Sequence, residues 1–198
     1  MPKKRKQRVN LSPPQFSPTI SVGHVFRFQN SAAISLDVSG VSLGDLLCVA
    51  TSATSAYQLA NAIRVRRVEI WGTASNTFAP VTVSCDFSGA TAGSFGPSRV
   101  YSDTSVGATR VAHVVAKPPR DSQAYQWQSS SSTATLFRLV LPAGAVMDLH
   151  YSLTLRDSSG VAAVTGAVAG ATTGQLYVRS LDSTAGTAII NPLSYVTI

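Results

Sequence analysis

Five basic side chains stand within the first eight residues, at Lys3, Lys4, Arg5, Lys6 and Arg8, with no acidic residue among them. Ammonium and guanidinium groups at this density bind phosphate without reading bases, and such binding weakens steeply with salt. Like charges packed this closely repel one another and hold the segment out of a fold. The proline-punctuated stretch LSPPQFSP follows directly. A second basic cluster, Arg64, Arg66 and Arg67 in AIRVRRVEIWG, is the next candidate for contact with a polyanion. Its plain alternative is the polar edge of a strand, paired with Glu69 and neighbouring carboxylates.

The arm has a second functional reading. Pro2, Lys3, Lys4, Arg5 and Lys6 spell PKKRK, which resembles the short basic import signal of polyomavirus large T antigen, an address read by an import receptor. The bland reading is a solvating tail.

Residues able to do bond-making chemistry are few and scattered. His24, His113 and His150 fall in separate segments with no metal-ligand spacing, and HxH, CxxC and HExxH are absent. No GxSxG or phosphate-cradling GxxxxGK[ST] occurs. His150 beside Asp148 imitates half of a triad, but two polar residues on one strand face are far more often sheet surface or a subunit contact. The chain therefore reads as a non-enzyme without an organic cofactor. Aspartates at strand ends leave room for structural calcium between subunits, since a hard cation takes several oxygens; as single residues they are turn formers and caps. Cys48 and Cys85 sit in apolar contexts and read as buried free thiols. No apolar run is long enough for a membrane-spanning helix, and no secretory leader precedes the body.

The elements that must carry these residues are strands. Beyond Arg8 the chain has 11 basic and 9 acidic residues, so the body is nearly neutral, and only 13% of all residues are charged. An ordinary soluble domain has about 25%, which predicts a surface covered by neighbouring copies. Alternation of period two is clearest in AVMDLHYSLTLRD, with Met147, Leu149, Tyr151, Leu153 and Leu155 on one face and a wet face opposite, and in PVTVSCDFSG. Further strands are predicted over 24–30, 33–38, 110–115, 135–141 and 175–181. In AIRVRRVEIWG the phase changes between Val65 and Val68, and one extra residue near Arg66–Arg67 would return both halves to the core as a β-bulge. Helical spacing of Leu46, Leu47, Ala50, Ala53, Tyr57 and Ala60 predicts a short helix within 43–61.

Short strands, frequent turns and little helix predict an all-β, eight-stranded antiparallel jelly-roll β-sandwich with one or two short helices in loops, over residues 21–198, behind a disordered basic arm over 1–20. An immunoglobulin-type sandwich fits less well, because Cys48 and Cys85 flank Trp71 at short separation without an oxidising context.

Four stretches, SLGDLLCVATSATSAYQLANAIRVRRVEIWG (42–72), YSDTSVGATRVAHVVAKPP (101–119), LVLPAGAVMDLHYSLTLRD (139–157) and GQLYVRSLD (174–182), resemble coat proteins of small icosahedral viruses with a single jelly-roll shell domain. The resemblance is to those of circular single-stranded DNA viruses, whose shell is of the tombusvirus and satellite-virus type. It implies a virion protein assembling with itself, an inward basic arm on the genome, single-stranded DNA before RNA, and passage through the host nucleus. The short arm departs from relatives with long arginine-rich ones. The alternative of another class is a lectin-like β-sandwich binding module with a nuclear or nucleic-acid tether, whose ligand cluster would be Tyr125 and Trp127.

Overall fold

The computed structural model describes residues 19–73, 79–88, 90–91, 94–106, 109–156, 162–166 and 168–193. Pro2, Lys3, Lys4, Arg5, Lys6 and Arg8 lie outside them, as do residues 157–160.

Eight strands build two antiparallel sheets: β1 (Ser21–Asn30), β2 (Ile34–Ser39), β3 (Ala60–Trp71), β4 (Pro80–Phe87), β5 (Arg99–Val106), β6 (His113–Ala116), β7 (Thr135–Leu141) and β8 (Val146–Leu155). One sheet runs β6-β3-β8-β1 and the other β2-β7-β4-β5. The pairs β1 with β8, β2 with β7, β3 with β6 and β4 with β5 are those of one long antiparallel ribbon doubled back on itself. Rolling that ribbon brings β8 against β3 and β7 against β4. The result is a jelly roll. A final strand, Ile190–Pro192, extends the first sheet beyond β1. It is anchored by buried Asp182, which accepts hydrogen bonds from the backbone N–H groups of Ile189 (2.8 Å) and Ile190 (3.1 Å).

The core lies between the sheets. Phe26, Phe28, Val65, Val68 and Leu149 from one meet Val83, Cys85, Phe87, Phe137 and Leu139 from the other in a single buried cluster. Each fully buried aromatic of this kind contributes about 2–3 kcal/mol through removal of apolar surface from water.

The expected bulge is present. Facing β8, the register steps from His150 opposite Arg67 to Tyr151 opposite Val65, so Arg66 is the extra residue. Ile63, Val65, Val68 and Ile70 are all buried as a result. Cys48 and Cys85 are free and buried, and desolvation pushes the Cys48 thiol up to about 11 and raises that of Cys85.

Three expectations need correction. The outer face of β8 is only partly wet: His150 and Thr154 are half-buried, and Asp148 and Ser152 are 8% and 6% exposed, because the strand lies inside the sheet and neighbouring arginines lie over it. The segment QLYVRSL contributes only Leu176–Val178, and to a separate small sheet; the eighth sandwich strand is Arg99–Val106. That strand is a sheet edge and mostly exposed, so it carries no apolar alternation. The helix expected within 43–61 is instead Gly40–Gly44, followed by a hairpin of Leu47–Ser52 and Ser55–Gln58. Buried Cys48, Ala50, Ala56 and Gln58 follow period two in that hairpin. Its turn is held by local side-chain bonds, with the Thr54 N–H donating to Ser52 Oγ at 3.2 Å and the Thr51 hydroxyl to the Ser55 carbonyl at 3.2 Å. Such bonds compete with a helix.

The hairpin and Leu176–Val178 form a three-stranded sheet, and the weakly polar run after residue 161 packs on it through Val168 and Ala171. Arg179 and Asp45, 1% and 0% exposed, pin this annex to the sandwich. The Arg179 guanidinium donates to the Thr165 carbonyl at 2.7 Å and lies 3.9 Å from Asp45 Oδ2, which accepts the Thr165 N–H at 2.7 Å. Burial pushes the Asp45 carboxyl up to about 6, against the opposing pull of the Thr165 N–H and of Arg179. Replacing Arg179 with Met leaves a buried carboxylate without its cation. R179M should lose about 3–5 kcal/mol of stability at neutral pH, read as a lower denaturant midpoint.

Candidate nucleic-acid interface

Alternation in β1, β3 and β8 points one set of side chains away from the core. Opposite one another in the register stand Arg27, Asp148 and Glu69, then Val25, His150 and Arg67, then Gly23, Ser152 and Arg64. The bulge adds Arg66 to the same side, where its Nε donates to Ser152 Oγ at 3.0 Å. Four guanidinium groups thus share one sheet face with two carboxylates.

Compensation on this face is uneven. Arg27 makes a bidentate pair with Asp148, at 2.6 and 2.7 Å, and lies 5.7 Å from the centroid of Trp71. Arg67 is shared, 3.1 Å from Glu69 Oε2 and donating to His150 Nε2 at 2.8 Å. His113 stands 3.0 Å from the other Glu69 oxygen and stacks on Trp71, with ring centroids 5.4 Å apart and planes at 15°. Arg64 and Arg66 have no carboxylate partner among the described residues; Arg64 lies over the ring of Tyr125 at 4.2 Å. The expected alternative, pairing of the cluster with Glu69, holds for Arg67 alone. At the cluster β3 pairs with β8 on one side; on the other, β6 reaches only residues 68–71, and the Val65 N–H goes to the Ala124 carbonyl.

The outer face of the second sheet is different in kind. Ser35, Thr82, Ser84, Ser102 and Thr104 dominate it, with Arg138 near Asp37 at 3.8 Å and exposed Val100, Val106 and Val140. The sandwich therefore has one face rich in arginine and one of small polar and aliphatic groups. β1 begins at the end of the sheet that carries Arg64. The Ile20 carbonyl still accepts the Leu155 N–H at 2.9 Å, and Gly23, Ser152 and Arg64 lie in one row across the sheet. Arg64 is two strand spacings from β1 in that row, about 10 Å.

All three histidines fall in this sheet, at β1, β6 and β8, but they do not converge. Among the described residues no three His, Cys, Asp or Glu gather at a point. Several aspartates considered for calcium are engaged within the chain: Asp103 accepts from the His113 N–H at 2.9 Å, which lowers its pKa, and Asp148 and Asp182 are held as described above. Asp157 lies outside the described residues. No described helix is long and apolar enough to cross a membrane.

Arg27 was not singled out by sequence reasoning, and Trp71 and His113 were weighed only for other roles, in an immunoglobulin-type core and a metal site. The alternation Phe26-Arg27-Phe28 places Arg27 opposite the core, but only the register across β8 brings it beside Asp148 and Trp71.

No protein-family model and no curated protein matches the sequence. Among solved structures, the chain is similar to the cryo-EM structure of the giant freshwater prawn Macrobrachium rosenbergii extra small virus (XSV) VLP. The TM-score is 0.40 and the identity 13%, over 80% of this chain and 96% of that one. It is also similar to desmodium yellow mottle tymovirus, with a TM-score of 0.34 and 11% identity over 79% of this chain and 100% of that one.

Desolvation, and after it the Arg67 cation, hold the His150 pKa below the usual 6.5. The unfolded chain takes up that proton first, so this group's contribution to stability is lost as pH falls through and below 6.5. Followed by NMR, the His150 ring should titrate below 6.5 in the native protein and move upward in Arg67→Ala. Saturating inorganic polyphosphate should move it the same way if the face binds phosphate.

Proposed function

We propose that this chain is the shell subunit of a small icosahedral virus, and that it assembles with copies of itself around a nucleic-acid genome. The observation that carries the reading is the segregation of charge. Five of the seven surplus positive charges lie in the first eight residues, beside a nearly neutral sandwich whose two outer faces differ in arginine content. An inner arm on phosphates, an arginine-rich inward face and a Ser/Thr-rich outward face fit a wall with two sides. The low charge of the body fits a rim covered by neighbours, and closed symmetry would leave no interface open.

In this reading Lys3, Lys4, Arg5, Lys6 and Arg8 hold the genome, with Arg64, Arg66 and Arg67 as a second, fixed set. Sixty copies are the economical closed shell for a single short domain. Their arms carry about 300 charges, well below the phosphates of even a one-kilobase strand. That deficit is the reason to enlist the sheet face. Pro2–Lys6 doubles as an import address, which suits a single-stranded DNA genome copied in a nucleus. Phosphate contacts alone do not separate DNA from RNA, so the DNA assignment rests on the sequence resemblance.

Negative-stain electron microscopy beside a 260/280 nm absorbance ratio tests the reading. Uniform hollow spheres are expected, with a raised ratio that deletion of residues 2–8 abolishes. Spheres free of nucleic acid would keep the shell and remove the arm's packaging role. A monomer of 20.7 kDa at high concentration and varied salt would overturn the proposal.

A further inference from the structure

The 120–128 segment presents two large aromatic rings that the assembly reading leaves without a task. Tyr125 is 36% and Trp127 43% exposed. The turn beneath them is fixed: Ser122, Gln123 and Ala124 are buried, and the Val65 N–H donates to the Ala124 carbonyl at 3.1 Å. The Tyr125 N–H returns to the Ser122 carbonyl at 3.1 Å, and the Gln128 side-chain amide to the Gln123 carbonyl at 3.2 Å. Gln128 and Ser129 then pair with Ile63 and Ala62, which sets Trp127 alongside the stretch of β3 that carries Arg64. Two aromatic side chains are thus held outward on a rigid support, and among the described residues no other ring stacks on either.

The cation beside them decides what they face. Arg64 lies over the Tyr125 ring at 4.2 Å, and neither it nor Arg66 has a carboxylate partner among the described residues. Rings interleaved with unneutralised arginines are the combination that binds single-stranded nucleic acid, where bases stack on rings while cations follow the backbone. A duplex would keep its bases stacked inside. At the other end of the face Arg27 also lies over a ring, that of Trp71, but there the cation is paired with Asp148. Trp71 stands seven positions along β3 from Arg64, a span of about 20 Å.

We propose that Tyr125 and Trp127, with Arg64, form a base-stacking site for single-stranded nucleic acid on the arginine face. The inference rests on the reading of that face as polyanion-binding and adds contact with bases to contact with phosphates.

The test compares labelled oligothymidylate with an abasic strand of equal length, bound to the full chain at one fixed salt concentration and followed by fluorescence anisotropy. Both strands carry the same charge, so phosphate binding alone treats them alike. Oligothymidylate should bind about tenfold tighter. Trp127→Ala and Tyr125→Ala should bring that ratio close to one, while Trp127→Phe should keep most of it. Equal binding of the two strands, unchanged in Trp127→Ala, would overturn the stacking site and leave the phosphate reading standing. Binding of neither strand would overturn both. Loss of self-association in Trp127→Ala, with strand discrimination unaltered, would assign the rings to contact with a second copy.

Discussion

One inserted residue in β3 satisfies two requirements that strict alternation sets against each other. A strand of period two cannot bury Ile63, Val65, Val68 and Ile70 together, because the last two stand on the opposite parity from the first two. Placing the extra residue at Arg66 resets the phase, so the core keeps all four. The same step sends Arg64, Arg66 and Arg67 to a single side. Without it Arg67 would point between the sheets and Val68 into solvent, and a charge would lie in the core uncompensated. Core and arginine face are therefore consequences of one backbone irregularity.

Around that face the chain neutralises selectively. Asp148 takes both donors of Arg27 in a partly buried site, where an unpaired carboxylate would be costly. Glu69 serves Arg67 and His113 together, and the ring nitrogen of His150 accepts from Arg67, which requires that ring to be neutral. Arg64 and Arg66 receive an aromatic ring and a hydroxyl, which hold a guanidinium in place without cancelling its charge. The charge that remains available is thereby concentrated at the end of the sheet where the arm joins.

How much of this was legible beforehand follows from where each signal resides. Strands with one apolar and one polar face, such as Pro80–Phe87 and Val146–Leu155, are written in local alternation, and so is the bulge, as a slip of phase. Arg99–Val106 is not, because an edge strand with little buried surface has no need of alternation. The Leu47–Gln58 hairpin misled because Ala50, Ala53, Tyr57 and Ala60 mimic a helical stripe by their spacing, while its partner strand lies more than a hundred residues downstream. For the site, residue type marked Arg64, Arg66 and Arg67, and Glu69 stands beside Arg67 on the same strand, but the imidazole, the hydroxyl and the ring that hold them come from β8 and the 120–128 turn. Those neighbours are set by register, which no local pattern encodes.

The ribbon topology has a consequence for timing. Both β1 and β3 pair with β8, so the first sheet has no central strand until residue 155 has been synthesised. A chain still attached to the ribosome, with its last stretch unmade, holds Phe26, Phe28, Val65 and Val68 without the strand that joins them. Asp148, His150 and Ser152 arrive on that same strand, so the partners of Arg27 and Arg66, and the imidazole that meets Arg67, come only then. Long-range pairing of this sort is slow, and its apolar strands stay open meanwhile. The arginine face is thus among the last surfaces to take shape.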